Sequence, residues 1–390
     1  MAKQRIGLVL TGGGARAAYQ VGVLKAIAEF LPYRARLPFE VICGTSAGAL
    51  NAVTLAVNAR HYRKGVRYLL NIWNNAHPAD IYRTDVLGVL SNSARWLAGL
   101  VLSMFGSHRL NRVSLLDNRP LRTFLERTLP CELIQRHIED GLLHAVSVTA
   151  SGYGSGQSVT FYQGVADIQP WKRARRVGVP TRLDIEHLLA SSAIPFLFPA
   201  VHVNREYFGD GSMRQIAPIS SALHLGAERV LVISVGHGVA QDDIKRAKMD
   251  DYPSLAEVAG HALDSIFIDA LEVDMERLLR INQTLSRIPP EVRPAVGLRH
   301  IEALVIRPSQ PLEKVAERHT SDLPWTIRLL LRLVGVMRGS GSNLLSYLLF
   351  DKRYCRTLID LGYQDGLARR DEILAFLEQG GTDTCNDLPQ

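Results

Sequence analysis

A serine framed by two glycines, Gly44-Thr45-Ser46-Ala47-Gly48, forms the only G-x-S-x-G in the chain. Its setting says more than its letters. Residues 39–43 read as a strand, and residues 49–59 as an almost wholly apolar, hence buried, helix. A sharp strand-to-helix turn, allowed by Gly44 and Gly48, lifts a serine hydroxyl out beside a helix N-terminus, the geometry of a nucleophile elbow. Such a hydroxyl attacks an ester carbonyl only if a base takes its proton. Of the twelve histidines, none shows a recognisable relation to Ser46; His202, His237, His261 and His300 are scattered among strand and helix contexts. Asp210, with Gly211 after it, follows a predicted strand at 202–208 and is the best-placed acceptor. Open α/β sheets present reactive groups at strand ends, and burial raises a carboxylate's proton affinity toward that of a working base. On local grounds alone, a turn aspartate without chemistry is favoured over that reading.

A second chemical feature lies upstream. Gly12, Gly13 and Gly14 stand between a short apolar strand at 5–10 and a helix at 19–31 that carries Val21, Leu24, Ala28 and Leu31 on one face. Together with Ala15-Arg16-Ala17 they satisfy the loose G-x-G-x-x-A pattern, in which backbone N–H groups and a helix N-terminus hold a pyrophosphate. The same backbone suits an oxyanion hole, because glycines let N–H groups point at developing negative charge. A plain tight turn is the third reading. A ribose-binding acid is expected at the end of the second strand, whereas Glu40 lies early in it.

The elements needed to position these residues follow from pattern and composition. The 390 residues are 47% hydrophobic and 21% charged, a globular profile that excludes disorder and collagen-like repeats. Two successive βα units predict a parallel sheet. Further strands are predicted at 144–149, 158–162, 202–208 and 229–235, with a late one at 301–306. Helices are predicted at 86–105, 256–279, 326–336 and 371–377. The net charge of +7 is spread along the chain and does not mark a nucleic-acid binder. Cys43, Cys131, Cys355 and Cys385 are too far apart for a zinc or redox motif and read as reduced thiols. The acidic pairs Asp242-Asp243 and Asp250-Asp251 lack calcium-loop spacing. No run of 18 apolar residues occurs, and the opening residues do not form an export signal, so the expected location is the cytoplasm.

Taken together, the chain resembles the patatin-like phospholipases, serine acyl hydrolases that use a Ser-Asp dyad. The family's G-G-G-x-R-G element is similar to residues 12–17, its G-T-S-A-G elbow matches residues 44–48, and its D-G-G/A element resembles Asp210-Gly211-Ser212. The segment A-S-x-A-x-P-x-x-F-P matches residues 190–199. Ala17 replaces the last glycine of the first element, and Ser212 stands where Gly or Ala is usual. The resemblance implies a three-layer α/β core with a mainly parallel central sheet over residues 1–240, joined by a returning strand near 299–307. A mainly helical C-terminal extension covers 241–390.

The same resemblance implies Ser46 as nucleophile, Asp210 as proton acceptor, an oxyanion hole at Gly12, Gly13 and Gly14, and phospholipid or lysophospholipid as substrate. No metal or cofactor is required. Arg16 either anchors the glycine loop or meets a lipid phosphate, with anchoring favoured. Peripheral contact with a membrane surface is expected, and three segments are weighed for it: 86–105, the basic run 171–176 and 325–338. Internal packing is favoured for the two helices and a solvated loop for the basic run. The alternatives are a regulatory module that binds phosphate or nucleotide on the glycine loop, and an acyltransferase using the same serine.

Overall fold

The computed structural model describes residues 4–83, 114–237, 270–289, 291–323, 328 and 342–378. The described residues include ten strands: β1 (Ile6–Leu10), β2 (Val41–Thr45), β3 (Ala145–Gly152), β4 (Ser158–Gly164), β5 (Trp171–Arg173), β6 (Arg176–Pro180), β7 (Val201–Val203), β8 (Glu206–Asp210), β9 (Arg229–Ile233) and β10 (Glu302–Ile306). All ten join one sheet in the order β10-β9-β1-β2-β3-β4-β6-β5, with β8 paired to β3 and β7 to β8. The first five strands of that order run parallel, and β4 turns back against β3. The result is the expected α/β architecture with a mixed, mostly parallel sheet.

β1, β2 and β9 are buried along their whole lengths, as strands covered on both faces must be. Side chains alternate between two cores. Leu8, Leu10, Ile42 and Val146 point to one, under α1 (Ala18–Phe30), α2 (Ala47–Ala56) and α3 (Tyr62–Asn74). Val9, Val41, Cys43 and Ala145 point to the other, under the Ser220–His224 and Ala270–Ser286 helices. Cys43, Cys131 and Cys355 are free thiols, and burial pushes Cys43 up to about 12, so it stays protonated at neutral pH.

Two segments fold differently from their sequence reading. The run 202–208 is not one strand but a hairpin: β7 pairs antiparallel with β8, Val203 opposite Glu206. Asn204 takes φ 55° at the turn, a conformation that asparagine tolerates and a two-residue hairpin loop needs. The basic run 171–176 is likewise not a loop but the β5–β6 hairpin, with Arg175 at φ 56° in its turn. Trp171 decides this, because its ring stacks on Tyr162 and His224 at 5.2 and 4.8 Å, while Lys172, Arg173 and Arg175 remain exposed.

The predicted helix 86–105, the acidic pairs at 242–251 and all of 325–338 except residue 328 lie outside the described residues. The prediction at 256–279 is described from residue 270 onward, as Ala270–Ser286, and that at 371–377 becomes Arg370–Glu378. The Lys352–Ala368 helix falls within the expected helical extension, at residues where no individual helix is predicted. It lies along α1 at close range: a Cβ on Gly362 would sit 2.1 Å from the Tyr19 carbonyl oxygen, and one on Gly22 2.0 Å from that of Ile359. Tyr19 Oη also donates to Asp365 Oδ2 at 3.0 Å. Gly362→Ala is therefore expected to force the helices apart and cost about 1–3 kcal/mol, read as a lower urea midpoint with an unchanged slope.

Candidate active site

β2 continues into the elbow, where Ser46 adopts φ 54° and α2 begins at the next residue. A non-glycine residue there carries strain of about 1–3 kcal/mol. The strain turns its hydroxyl toward β8. Ser46 Oγ donates to Asp210 Oδ2 at 2.6 Å, and Asp210 Oδ1 accepts from the Ser212 backbone N–H at 2.9 Å. Ser46 is 2% exposed and Asp210 is fully buried. Burial raises the Asp210 carboxyl to about 6, although hydrogen bonds from Ser46 and Ser212 pull it down.

Register explains why two residues 164 positions apart meet. β2 ends with Thr45 opposite Thr149 of β3. The next rung of β3, Ala150, is taken by Asp210 at the end of β8, which arrives antiparallel. Two strands thus meet end to end on one edge of β3. Ser191, at the end of the Ile185–Ser191 helix, ties the join: its hydroxyl accepts from Ser46 N–H at 2.8 Å and donates to the Thr149 carbonyl at 2.6 Å. Asp210 N–H donates to the Ala193 carbonyl at 2.8 Å.

The glycine loop crosses directly over the elbow. A Cβ on Gly48 would lie 2.4 Å from the Leu10 carbonyl oxygen and 2.5 Å from that of Thr11, so only glycine permits this approach. Beneath the loop runs a buried chain of amides. Trp73 Nε1 donates to Asn51 Oδ1 at 2.8 Å, Asn51 Nδ2 to Gln20 Oε1 at 2.9 Å, and Gln20 Nε2 to the Thr11 carbonyl at 2.8 Å. Arg16, 1% exposed, is held by residues from the C-terminal part of the chain. Its Nε donates to Ser346 Oγ at 2.7 Å, its guanidinium lies 4.1 Å from the centre of the Tyr347 ring, and Glu313 is 3.9 Å away.

Ser46 and Gly14 line one part of a cavity of about 290 Å³ between α2, α3 and the Arg119–Thr128 helix. Its walls are mainly apolar, with Leu50, Ile72, Leu121, Leu125, Ile194, Phe198 and Phe350 among them, and with Asn71, Asn75, His77 and Asp80 as polar groups. A buried hydroxyl with a carboxylate of raised proton affinity, at the wall of an apolar cavity, is equipped for attack on an acyl carbonyl.

A family model for patatin-like phospholipases matches residues 8–223, more than half of the 390. The chain belongs to the patatin-like phospholipase family. It is also similar to the lysophospholipase nte1 of Aspergillus terreus, at 50% identity over 54 residues, which is 14% of this chain and 3% of that relative's length. Among solved structures it is similar to VipD from Legionella pneumophila, with 11% identity and a TM-score of 0.39, over 95% of this chain and 67% of that one. The patatin-like match includes the glycine loop, the elbow and Asp210, but ends before Glu313, Ser346 and Tyr347.

Of the residues read from sequence, Ser46, Asp210, Gly44, Gly48 and Gly14 come together here, Gly13 packs on Val235 and Gly12 is buried in the same loop. Glu40 accepts from Ile6 N–H at 2.9 Å and so ties β2 to β1. His202 packs on Tyr207, His237 bonds to the Pro308 carbonyl, and His261 lies outside the described residues. Ser191 and His77 were not singled out as site residues. The first stood inside the matched segment 190–199, whereas nothing in its local sequence marks the second.

Folding removes Asp210 from water, so its protonated form is favoured relative to the unfolded chain. Between the ordinary value of 3.8 and about 6 the unfolded chain ionises first, and stability falls as pH rises through that window. Asp210→Asn keeps both hydrogen bonds, accepting from Ser212 and donating to Ser46. It is expected to raise stability at pH 8 by on the order of 2–3 kcal/mol and to change it little at pH 3.5. Thermal melts of the two proteins at both pH values check this.

Proposed function

We propose that this patatin-like protein hydrolyses carboxylic esters of phospholipids or lysophospholipids through Ser46 and Asp210. The reading is carried by one observation, the 2.6 Å hydrogen bond from a strained, buried serine to a buried carboxylate at the wall of an apolar cavity. In the first step Asp210 takes the Ser46 proton while Oγ bonds to the ester carbonyl carbon. Negative charge develops on the carbonyl oxygen, and we assign its stabilisation to the N–H groups of Gly12, Gly13 and Gly14, a reading supported by Gly14 lining the cavity with Ser46. Collapse of this intermediate breaks the ester C–O bond, and Asp210 returns the proton to the departing alcohol. Water then attacks the acyl-serine, giving its proton to Asp210. The proton passes back to Ser46 Oγ as the fatty acid leaves.

The cavity supports an acyl chain as the group held during these steps, because its apolar walls compensate the chain for leaving lipid or water. Arg16 is assigned the role of loop anchor rather than phosphate ligand. Its guanidinium is buried against Ser346 and Tyr347 instead of facing the cavity. The contact with lipid is proposed as peripheral; no helix among the described residues is long and apolar enough to cross a membrane.

Fatty-acid release from mixed phospholipid vesicles tests the reading. Ser46→Ala and Asp210→Asn are each expected to lower the rate by at least about a thousandfold with folding intact by circular dichroism. The unaltered enzyme should lose activity as pH falls through about 6, where Asp210 takes up its proton. Absence of both vesicle hydrolysis and fluorophosphonate labelling of Ser46 would refute the proposal.

A further inference from the structure

Phe196 is 81% exposed, the most exposed large hydrophobic side chain among the described residues. It is not a loose residue. Leu197 N–H donates to the Ile194 carbonyl at 3.2 Å and closes a turn with Pro195 second and Phe196 third. Phe196 has φ 64°, the conformation for which turns of this kind select glycine or asparagine. A bulky aromatic in that region is an outlier, and such strain persists only where the surroundings impose it. Here they do: Phe198 N–H also bonds to the Ile194 carbonyl at 2.9 Å, and the Phe196 carbonyl accepts from Leu115 N–H at 3.0 Å.

The turn is joined to the active site on both sides. Ile194 and Phe198 line the cavity with Ser46, and the Ala193 carbonyl holds Asp210 N–H. Among the described residues the ring belongs to neither apolar core. Asparagine or glycine would relieve the backbone, and the ring gains almost no burial. A ring kept exposed on a braced, strained turn, next to the walls of an apolar cavity, fits a partner that is itself apolar and contacts the protein at that point.

We propose that Phe196 is a membrane anchor whose ring enters the acyl region of a phospholipid surface and seats the neighbouring cavity walls against it. An acyl chain then passes from bilayer to cavity with less of its length exposed to water, and burial of the ring supplies part of the binding. This inference rests on the acyl-hydrolase reading for its purpose, but its binding step does not need turnover.

The test measures co-sedimentation with phosphatidylcholine–phosphatidylglycerol vesicles in a Ser46→Ala background. F196N is expected to lower partitioning roughly tenfold, and F196W to restore it. Asparagine accepts positive φ, so F196N should melt no lower than the parent. With Ser46 present, F196N should hydrolyse the soluble ester p-nitrophenyl butyrate at the parent rate and vesicle lipid more slowly. Equal partitioning of Phe196 and F196N proteins overturns the anchor. So does an equal loss on the soluble ester, which would place the ring in the substrate chamber. A change in self-association without a change in partitioning would assign the ring to a second copy of the chain and also overturns it. Labelled Ser46 with unchanged partitioning removes the anchor alone, whereas Phe196-dependent partitioning without labelling removes the hydrolase reading alone.

Discussion

The exchange of strands on one edge of β3 governs the geometry of this protein. β2 holds that edge as far as Thr149, and β8 takes it over at Ala150. Because the two strands run in opposite senses, each ends where the other ends, and the residues at the two ends face each other. Neither strand alone specifies a site. Their shared partner does, since backbone hydrogen bonds fix spacing along β3 and bring together the strand ends at Thr45 and Asp210. Ser191 converts the join into a unit by bonding to Ser46 and to Thr149 with one hydroxyl.

A second constraint sets the height of the glycine loop above this join. From below, the Trp73–Asn51–Gln20 chain reaches the Thr11 carbonyl and so couples α3, α2 and α1 to the loop. From the side, Arg16 is gripped by Ser346 and Tyr347, and a Cβ at Gly14, which has φ 54°, would lie 2.2 Å from the Tyr347 carbonyl oxygen. Both are buried polar arrangements, which are costly when only partly satisfied and rigid when complete. The second comes from residues beyond the span of the patatin-like match. The C-terminal part of this chain therefore helps to shape a loop that the family core supplies.

Legibility in the sequence followed the range of the interaction. Strand, glycine loop and helix at 5–31, and strand, elbow and helix at 39–59, are local patterns whose apolar period and turn residues suffice, and their boundaries moved by only a few residues. Asp210 was readable only as a turn residue after a predicted strand at 202–208, and its choice as acceptor rested on the family resemblance. The hairpin at 201–210 was not readable, because Asn204-Arg205 interrupts an otherwise strand-like run without a glycine or proline. The Lys352–Ala368 helix was hidden for the opposite reason. Gly362 and Gly366 look like breaks in a helical pattern, yet they are the surface on which α1 lies, and that partner is more than 300 positions away. Ser191 and Arg16 show the same limit: their types were visible, but their partners are set by the fold.

The proposed dyad of serine and aspartate raises the question of what replaces the histidine between them. An exposed aspartate is too weak a base to hold a serine proton near neutral pH, and a fully buried one with no donors would stay protonated. Asp210 lies between these limits. Burial raises it, while the Ser212 N–H and the Ser46 hydroxyl limit the rise to about 6. Orientation, the other service a third residue provides, comes from the backbone: Asp210 N–H is fixed to Ala193 and its Oδ1 to Ser212, so Oδ2 is left aimed at Ser46. The strand ending that brings the carboxylate to the serine also tunes and aims it. In the proposed mechanism the buried acid, although it costs stability, therefore needs no further side chain to act as the base.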